Sequence, residues 1–257
     1  MTGHAHPLAV AIENRDAAGR CVIVCEHASN AFPEPWGALG LSDAQRAAHI
    51  AWDPGALGLA RGLAERLGSV LIHAGASRLI YDLNRPPQSR GAMAERSEIH
   101  DIPGNRALAP ETRLMRTEAL YVPFHATVRA EIARRLALGL DPVLVTVHSF
   151  TPVYAGKPRA VELGVIHDAD PTLARAVLAE AEARTPLVTR LNEPYSAADE
   201  VTHTLALHAT PMGIANVMLE LRNDLIATPE AQVEMADRLA PVLEGALARA
   251  ANVEGAA

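Results

Sequence analysis

The chain has 257 residues, of which 49% are hydrophobic, and its formal net charge is −7 at pH 7. This length suffices for one large domain or two small ones with a sizeable buried core. The negative charge argues against nucleic acid or an anionic membrane as the main partner. No apolar stretch reaches the ~20 residues of a membrane span, and residues 1–7 lack the apolar core of a signal peptide. The sequence therefore predicts a soluble protein, expected in the cytoplasm as a monomer or small homo-oligomer.

The first predicted element is a buried strand over Cys21–Cys25, an apolar and β-branched run. Its two cysteines would lie on one face, roughly 13 Å apart at about 3.3 Å per residue, which is too far for a disulfide. Buried reduced thiols agree with a reducing cytoplasm. A loop is predicted over residues 31–41, and a helix with Ser42 as its N-cap runs to about residue 51.

Helices and strands alternate through the rest of the chain. The pattern predicts helices over 56–67, 110–138, 171–183 and 229–250, the second kinked near Tyr121 by Pro123. It predicts strands over 70–74, 77–82, 143–147, 161–166, 188–191 and 214–221. Such alternation indicates one α/β domain over residues 1–257, a three-layer α/β/α fold with a mostly parallel or mixed central sheet. We expect flexible ends at about residues 1–10 and 252–257.

One long segment has no periodicity. Residues 84–106 are polar and rich in proline, arginine and glycine. Long loops of this kind in compact domains are typical of lids and binding loops.

Polar residues follow several of the predicted strands. They are His27 after the first strand, Asp82, Asn84 and Arg85 after the third, His148 after the fourth, and Glu220 and Arg222 on the last. In open α/β sheets, ligands bind beyond the carboxyl ends of the strands. We therefore expect these side chains to meet in one crevice.

Two histidines and one oxygen ligand, with a fourth position open, are typical of a catalytic zinc site. His27 and His148 are the natural pair, although each could also be a hydrogen-bonded structural histidine. The third ligand is open: Asp53 could reach the site, and its alternative role is a helix N-cap. Glu26 and Asn30 are the other candidates.

Glu220 lies in an otherwise apolar run, where a carboxylate is costly unless it is paired or functional. It is either a general base or the partner of Arg222 in a buried ion pair. The guanidinium of Arg85 can clamp a carboxylate with help from the amide of Asn84. Arg78 and Arg222 are further candidates for anion binding, and Tyr195 and His208 are candidates for lining the pocket.

Several blocks of this sequence resemble the N-formylglutamate amidohydrolase family between about residues 20 and 226. The most specific are Ser-Arg-Leu-Ile-Tyr-Asp-Leu-Asn-Arg-Pro and Leu-Glu-Leu-Arg-Asn-Asp-Leu, at 77–86 and 219–225. Blocks at 26–30, 53–56, 148–149 and 192–195 complete the resemblance.

This family is similar in fold to the zinc carboxypeptidases and the aspartoacylases, so the resemblance implies a fold like that of the zinc-dependent exopeptidases. Aspartoacylases hold the substrate carboxylate with the Asn and Arg of an Asp-Leu-Asn-Arg block, which implies this role for Asn84 and Arg85. His27 and His148 correspond to metal ligands and Glu220 to the catalytic carboxylate. The carboxypeptidase pattern has His-x-x-Glu where this chain has Asn30, so the third ligand is Asp53 or, next, Glu26.

The resemblance implies a zinc-dependent hydrolase for a small anionic substrate. The expected reaction releases formate, or another acid, from N-formyl-L-glutamate or a similar N-acyl acidic amino acid, usually in histidine degradation. Arg222 and Arg78 would assist with the charges of the substrate. Alternatives are an N-acyl amino acid deacylase or carboxypeptidase-like hydrolase, and a non-catalytic carboxylate-binding protein on a degenerate scaffold. A serine hydrolase is disfavoured because no G-x-S-x-G motif surrounds Ser149.

Overall fold

A seven-stranded mixed sheet forms the centre of the fold. The computed structural model describes residues 10–254, with side chains up to residue 250. In this range the strands are β1 Val10–Glu13, β2 Cys21–Cys25, β3 Val70–Ala74, β4 Arg96–Ser97, β5 His100–Asp101, β6 Val143–Phe150, β7 Val153–Tyr154, β8 Lys157–Pro158, β9 Leu163–Ile166, β10 Thr189–Leu191 and β11 Asn216–Arg222. The main sheet has the order β1-β3-β2-β6-β11-β9-β10, and β4–β5 and β7–β8 form two small hairpins.

The central strands of the sheet are parallel, and the strands at its two edges run antiparallel to them. Strands β3, β2, β6 and β11 are parallel neighbours. Strand β1 is antiparallel to β3, and β9 is antiparallel to β11 but parallel to β10. The α/β class with a mixed sheet is confirmed.

Helices cover both faces of the sheet. They are α1 Asp43–Ala47, α2 Ala56–Arg66, α3 Pro110–Arg116, α4 Val122–Ala137, α5 Thr172–Arg184, α6 His203–His208 and α7 Pro229–Glu254. Helices α2, α5 and α7 pack on one face, while α4 and α6 pack on the other. This arrangement gives the predicted three layers. No helix within residues 10–254 is both long and apolar enough to cross a membrane.

Strand β2 shows why the central strands are uniformly apolar. Val22 and Val24 face the α4 side, whereas Ile23 faces the α2 side, and every residue of the strand is buried. A strand covered on both faces needs apolar residues at every position. Cys21 and Cys25 are buried free thiols, as predicted.

The strand predicted over residues 77–82 is wrong. The segment is a loop in which Ile80 N–H donates to Ser77 O at 3.0 Å, and Ser77 Oγ donates to Ala51 O at 2.8 Å. Asp82 N–H donates to Ala92 O, at 2.8 Å. These backbone groups bond to neighbouring loops and not to a sheet ladder, although Leu79 and Ile80 are buried as the residues of an apolar strand would be.

Two further features near the start of the chain differ from the prediction, the end of one helix and the presence of a strand. The helix capped by Ser42 ends at Ala47 rather than near residue 51. Strand β1 was not predicted, and it begins at Val10, inside the expected flexible N-terminus. The remainder of that segment, residues 1–9, and residues 255–257 at the other end lie outside the described residues, while 252–254 continue α7.

The helix predicted over residues 110–138 is interrupted near Tyr121, where a break or kink was expected. Residues Thr117–Tyr121 form a single π-helical turn between α3 and α4, directly before Pro123. A π-turn accommodates the carbonyl that proline leaves without an intrahelical donor. The long segment 84–106 contains two 3-10 turns and the β4–β5 hairpin.

Candidate active site

Three parallel strands deliver polar side chains to one edge of the sheet. Strand β2 leads directly into His27, β6 carries His148 and β11 carries Glu220. His148 and Glu220 are direct cross-strand partners, and both lie on the face covered by α4 and α6. The predicted convergence of strand ends is therefore present.

Three ligand atoms form a compact triangle in this crevice. His27 Nδ1 lies 3.3 Å from Asp53 Oδ2, and His148 Nδ1 lies 2.9 Å from the same oxygen. The two Nδ1 atoms are 3.2 Å apart. All three side chains are buried and form the metal-ligand group of the described residues, consistent with Asp53 as the third ligand.

The loop geometry around Asp53 directs its carboxylate into the site. Asp53 N–H donates to His27 O at 2.9 Å, and Asp53 Oδ2 accepts from Ser149 N–H at 3.3 Å. Helix α2 begins after Gly55, which is its N-cap, so the alternative role of Asp53 as a cap does not describe this structure. Asn30 is exposed, and its amide donates to Arg46 O at 3.2 Å, away from the triangle.

The outer nitrogen of each histidine faces a carboxylate. His27 Nε2 lies 2.7 Å from Asp82 Oδ1, and His148 Nε2 lies 3.2 Å from Glu26 Oε2. The hydrogen bond to Asp82 favours a proton on His27 Nε2, and the negative charge of Glu26, which makes no hydrogen bond to the ring, favours one on His148 Nε2. Both Nδ1 lone pairs then face the Asp53 oxygen. Three converging lone pairs require a cation between them. Ligands 2.0–2.1 Å from a tetrahedral zinc ion are about 3.3 Å apart, so the residues fit zinc.

The electrostatics of the site favour positive charge. Burial would lower the pKa of His148, but Glu26 and Asp53 raise it well above its ordinary value. Burial and Arg78 would lower the pKa of His27, yet Asp82 and Asp53 raise it. Burial opposes ionisation of Asp53, but the nearby histidines hold its pKa well below its usual range. A site that stabilises protonated histidines this strongly also attracts a metal dication, which would displace those protons.

Glu220 is a buried carboxylate without a partner. It is 5% exposed, and its Oε2 atom has no hydrogen-bond partner among the described residues. Burial raises the pKa of Glu220 to about 7. Arg222, the alternative partner, instead pairs with Asp224 at 2.8 Å and Glu162 at 3.3 Å. The proposed buried pair between Glu220 and Arg222 is therefore not formed.

A cavity of about 420 Å³ opens over these groups. Eight of the predicted site residues line it, namely His27, Asp53, Arg78, Asn84, Arg85, His148, Tyr195 and Glu220, whereas Arg222 does not. Arg78 donates to Asp82 Oδ2 at 2.6 Å and to Asp53 Oδ1 at 3.2 Å, so its charge is largely balanced by the site itself. His208 does not line the cavity but lies buried against His125.

Asn84 and Arg85 link the cavity to the segment before α6. The amide of Asn84 donates to Val201 O, and its oxygen accepts from Thr204 N–H at 3.0 Å. Arg85 Nη1 donates to Asn84 O at 3.1 Å and also to Glu200 O. Arg85 lines the cavity, and the substrate-binding roles of both residues stay predictions.

The sequence did not reveal an aromatic wall of the cavity. Phe150 and Tyr154 line it together with Tyr195. The Arg159 guanidinium carbon lies 5.4, 4.5 and 5.0 Å from the rings of Phe150, Tyr154 and Tyr195, and Arg159 Nη2 donates to the Tyr195 hydroxyl oxygen at 3.0 Å. Such contacts fix ring orientation. Tyr154 lies on strand β7 of a short exposed hairpin and Arg159 directly follows its second strand, and no periodicity in the sequence marks them.

The β4–β5 hairpin forms the opposite rim of the cavity. Arg96, Ser97 and Glu98 line it, and Glu98 Oε1 lies 2.9 Å from His49 Nε2, which joins the hairpin to the end of the α1 segment. These residues were also not predicted, because their proximity arises from loop packing.

Comparisons with known proteins identify the family. The model of the family described as N-formylglutamate amidohydrolase matches residues 19–227. A crystal structure of a gene product from Agrobacterium tumefaciens is 51% identical, with a TM-score of 0.92, covering 94% of this chain and 95% of that chain. The crystal structure of N-formylglutamate amidohydrolase from Ralstonia eutropha is 17% identical, with a TM-score of 0.68, covering 97% of this chain and 100% of that chain. At this low sequence identity, the similarity shows a shared fold. No match was found among curated proteins. Because the family match spans most of the sequence, including every block of the resemblance, the chain belongs to the N-formylglutamate amidohydrolase family.

Proposed function

We propose that this protein is a zinc-dependent amidohydrolase that converts N-formyl-L-glutamate, or a closely similar N-acyl acidic amino acid, to the amino acid and formate or the corresponding acid. The observation that carries the proposal is the triangle of His27, Asp53 and His148 beside the unpaired carboxylate of Glu220. Three ligands next to a general base are the arrangement that metal-assisted hydrolysis of an amide needs.

His27, Asp53 and His148 would hold the ion. Zinc supplies Lewis acidity, which polarises the amide carbonyl and makes a water molecule a better nucleophile at neutral pH. Asp82 orients the His27 ring through a hydrogen bond, and the Glu26 carboxylate lies 3.2 Å from the outer nitrogen of His148.

Glu220 is the proton carrier in this proposal. Burial raises its pKa to about 7, so both protonation states are accessible near neutral pH. Glu220 accepts a proton from the attacking water and then donates it to the leaving nitrogen of the amino acid. Its lack of a hydrogen-bond partner leaves the carboxylate free for both steps.

The substrate is held by its carboxylates. Arg85, which lines the cavity and forms no ion pair among residues 10–250, is the cation for the α-carboxylate. Asn84 assists by fixing the loop that carries Arg85. Arg78 and Tyr195 complete the polar lining that places the scissile amide beside Glu220.

Formate release from N-formyl-L-glutamate tests the reaction. The purified protein is assayed as isolated, after chelation and after zinc is added back, with N-acetyl-L-glutamate and N-formyl-L-leucine as comparison substrates. We expect activity that disappears on chelation, returns with zinc and is highest for the formyl acidic substrate. Turnover of the acetyl compound alone would indicate an N-acyl deacylase, and ligand binding without turnover would indicate a non-catalytic binder.

We also propose a cytoplasmic location and a role in histidine degradation, the usual context of the family. The two buried free thiols suit a reducing compartment. Deletion of the gene should impair growth on histidine as the carbon source, because N-formylglutamate still holds all six carbons of histidine, and unimpaired growth would contradict this role.

A further inference from the structure

A second cavity adjoins the catalytic one. It measures about 530 Å³ and is lined by residues of the 90–96 segment, the 105–108 loop and helix α3. Gly91, Ala94 and Arg96 line both cavities, so the short 90–96 segment is the wall between them. None of the assigned functional residues faces this second space.

Arginines dominate the charge of the second cavity. Arg90, Arg96 and Arg113 line it, and Glu95 is the one carboxylate in the lining. Within residues 10–250, none of these three arginines forms an ion pair, although others do, such as Arg61 with Glu13. The Arg96 side chain makes one hydrogen bond, from Nε to Glu98 O at 3.0 Å. The Arg113 side chain makes one long contact, from Nη2 to Pro87 O at 3.5 Å. A concentration of uncompensated cations is unexpected in a chain with a net charge of −7.

The wall of this cavity is held in place by a buried amide. Asn105 is 2% exposed, and its Nδ2 donates to Ala94 O at 2.9 Å and to Leu79 O at 2.8 Å. Arg116 Nη1 donates to Asn105 Oδ1 at 2.7 Å. On the other side, Gly91 N–H donates to Ser89 Oγ at 3.1 Å. The arginine-bearing segment is thus preorganised, which lowers the entropic cost of binding a ligand.

We propose that the second cavity is a binding site for a small oxyanion, a carboxylate or a phosphate, distinct from the catalytic site. Guanidinium groups bind both kinds of oxyanion through paired N–H donors. Arg90 and Arg113 belong to this site alone, whereas Arg96 is shared with the catalytic cavity. An anion bound here lies one chain segment away from the substrate and shares a cation with it.

Calorimetric titration with inorganic phosphate tests the site without relying on any catalytic activity. The variants are Arg90→Gln combined with Arg113→Gln, and a matched control of Arg175→Gln combined with Arg238→Gln, two exposed arginines without ion pairs within residues 10–250. We expect saturable binding to the zinc-loaded wild type and the control, and at least tenfold weaker binding to Arg90→Gln/Arg113→Gln. Equal phosphate affinity in both double variants would overturn the proposal, because phosphate bound at the zinc would give that result. The proposal would also be overturned if phosphate did not bind saturably to the wild type.

Two further measurements keep this result interpretable. Arg90→Gln alone changes one exposed side chain, so it should keep the melting temperature of the wild type and still bind phosphate at least threefold more weakly. A parallel titration with succinate, which binds zinc only weakly, compares a carboxylate with phosphate. Once phosphate binding is weakened in Arg90→Gln/Arg113→Gln and kept in the control, the anion that loses more affinity in that variant is the one the site prefers.

Discussion

The Nδ1 atoms of His27 and His148 lie 3.2 Å apart, while the Nε2 atom of each ring faces a carboxylate. Two neutral imidazoles with this tautomer repel each other, and the Asp53 oxygen between them adds a third lone pair. The arrangement is stable only with positive charge at its centre, either as protons on the rings or as a metal ion. The same contacts that raise the pKa values of both histidines therefore explain why the site suits a dication.

We expect the protein to bind one zinc ion per chain and to lose stability when the ion is removed. A ligand that binds the folded state alone stabilises it, so the melting temperature should fall after chelation and recover with zinc. The His148→Ala variant should contain far less zinc than the wild type, as measured by atomic absorption. His167→Ala, on the partly exposed loop after β9, is the matched control and should keep its zinc. Full zinc content in His148→Ala would show that the ligand set is wrong.

Glu220→Gln should abolish most turnover while the fold and bound zinc are kept. The amide has nearly the same shape as the carboxylate but cannot accept a proton, and loss of a general base typically costs on the order of 10²–10⁴-fold in rate. Steady-state kinetics with N-formyl-L-glutamate measure the loss, and metal analysis shows whether zinc is retained. Glu244→Gln, at an exposed position of α7, should be fully active. Near wild-type turnover in Glu220→Gln would remove Glu220 from the mechanism.

His125 and His208 should make the fold sensitive to acid. Burial and the charge of His208 lower the pKa of His125 to about 3, and burial and His203 lower the pKa of His208 to about 4. The unfolded chain, with histidine pKa values near 6.5, binds more protons between about pH 4 and 6.5, so stability falls as pH falls through this window. Each histidine contributes a slope on the order of 1 kcal/mol per pH unit.

The His125→Gln variant tests the contribution of His125 to this loss of stability in acid. Its amide can still donate to Leu83 O, as His125 Nε2 does at 2.9 Å. Urea unfolding at several pH values should show a shallower loss of stability below pH 6.5 than in the wild type. An unchanged slope in His125→Gln would mean that His125 is protonated in the folded state.

The centre of the site was predictable from sequence because parallel strands place their carboxyl ends together. His27, His148 and Glu220 follow or end strands that were recognised as apolar runs, and their convergence is confirmed by the sheet order. The apolar segment 77–82 misled the prediction because burial alone does not distinguish a strand from a loop packed under a helix. Only the pairing partners decide this, and they are set by the tertiary fold.

The rims of the site were not predictable, for a related reason. Tyr154 belongs to the β7–β8 hairpin, which Arg159 directly follows, and Arg96 and Glu98 belong to the β4–β5 hairpin. No periodicity relates these residues, and their positions depend on contacts between loops that are far apart in sequence. Arg222 shows the converse case: its place after Glu220 on β11 suggested a site residue, but its side chain pairs with Glu162 and Asp224.

Gly164 should be intolerant of a side chain because it lies between Glu220 and a crossing chain. It is the cross-strand partner of Glu220, and the backbone of Glu193 passes over it on the way to Tyr195. A Cβ atom here would overlap the Glu193 carbonyl oxygen and lie 3.2 Å from the Glu220 Cβ atom. Gly164→Ala should therefore cost roughly 1–3 kcal/mol of stability. It should also lower kcat/KM, because the 193–195 segment and Glu220 must move apart.

Thermal unfolding and steady-state kinetics separate these two effects when Gly139→Ala is the control. Gly139 follows α4 with a φ of +72° and open space around a Cβ atom, so alanine there costs about 1–2 kcal/mol through backbone strain alone. A general loss of stability would lower Tm in both variants and leave kcat/KM unchanged in both. Lower kcat/KM in Gly164→Ala alone would show that the close approach of Glu193 to the sheet sets the position of Glu220, whereas unchanged stability and kcat/KM in Gly164→Ala would contradict that approach.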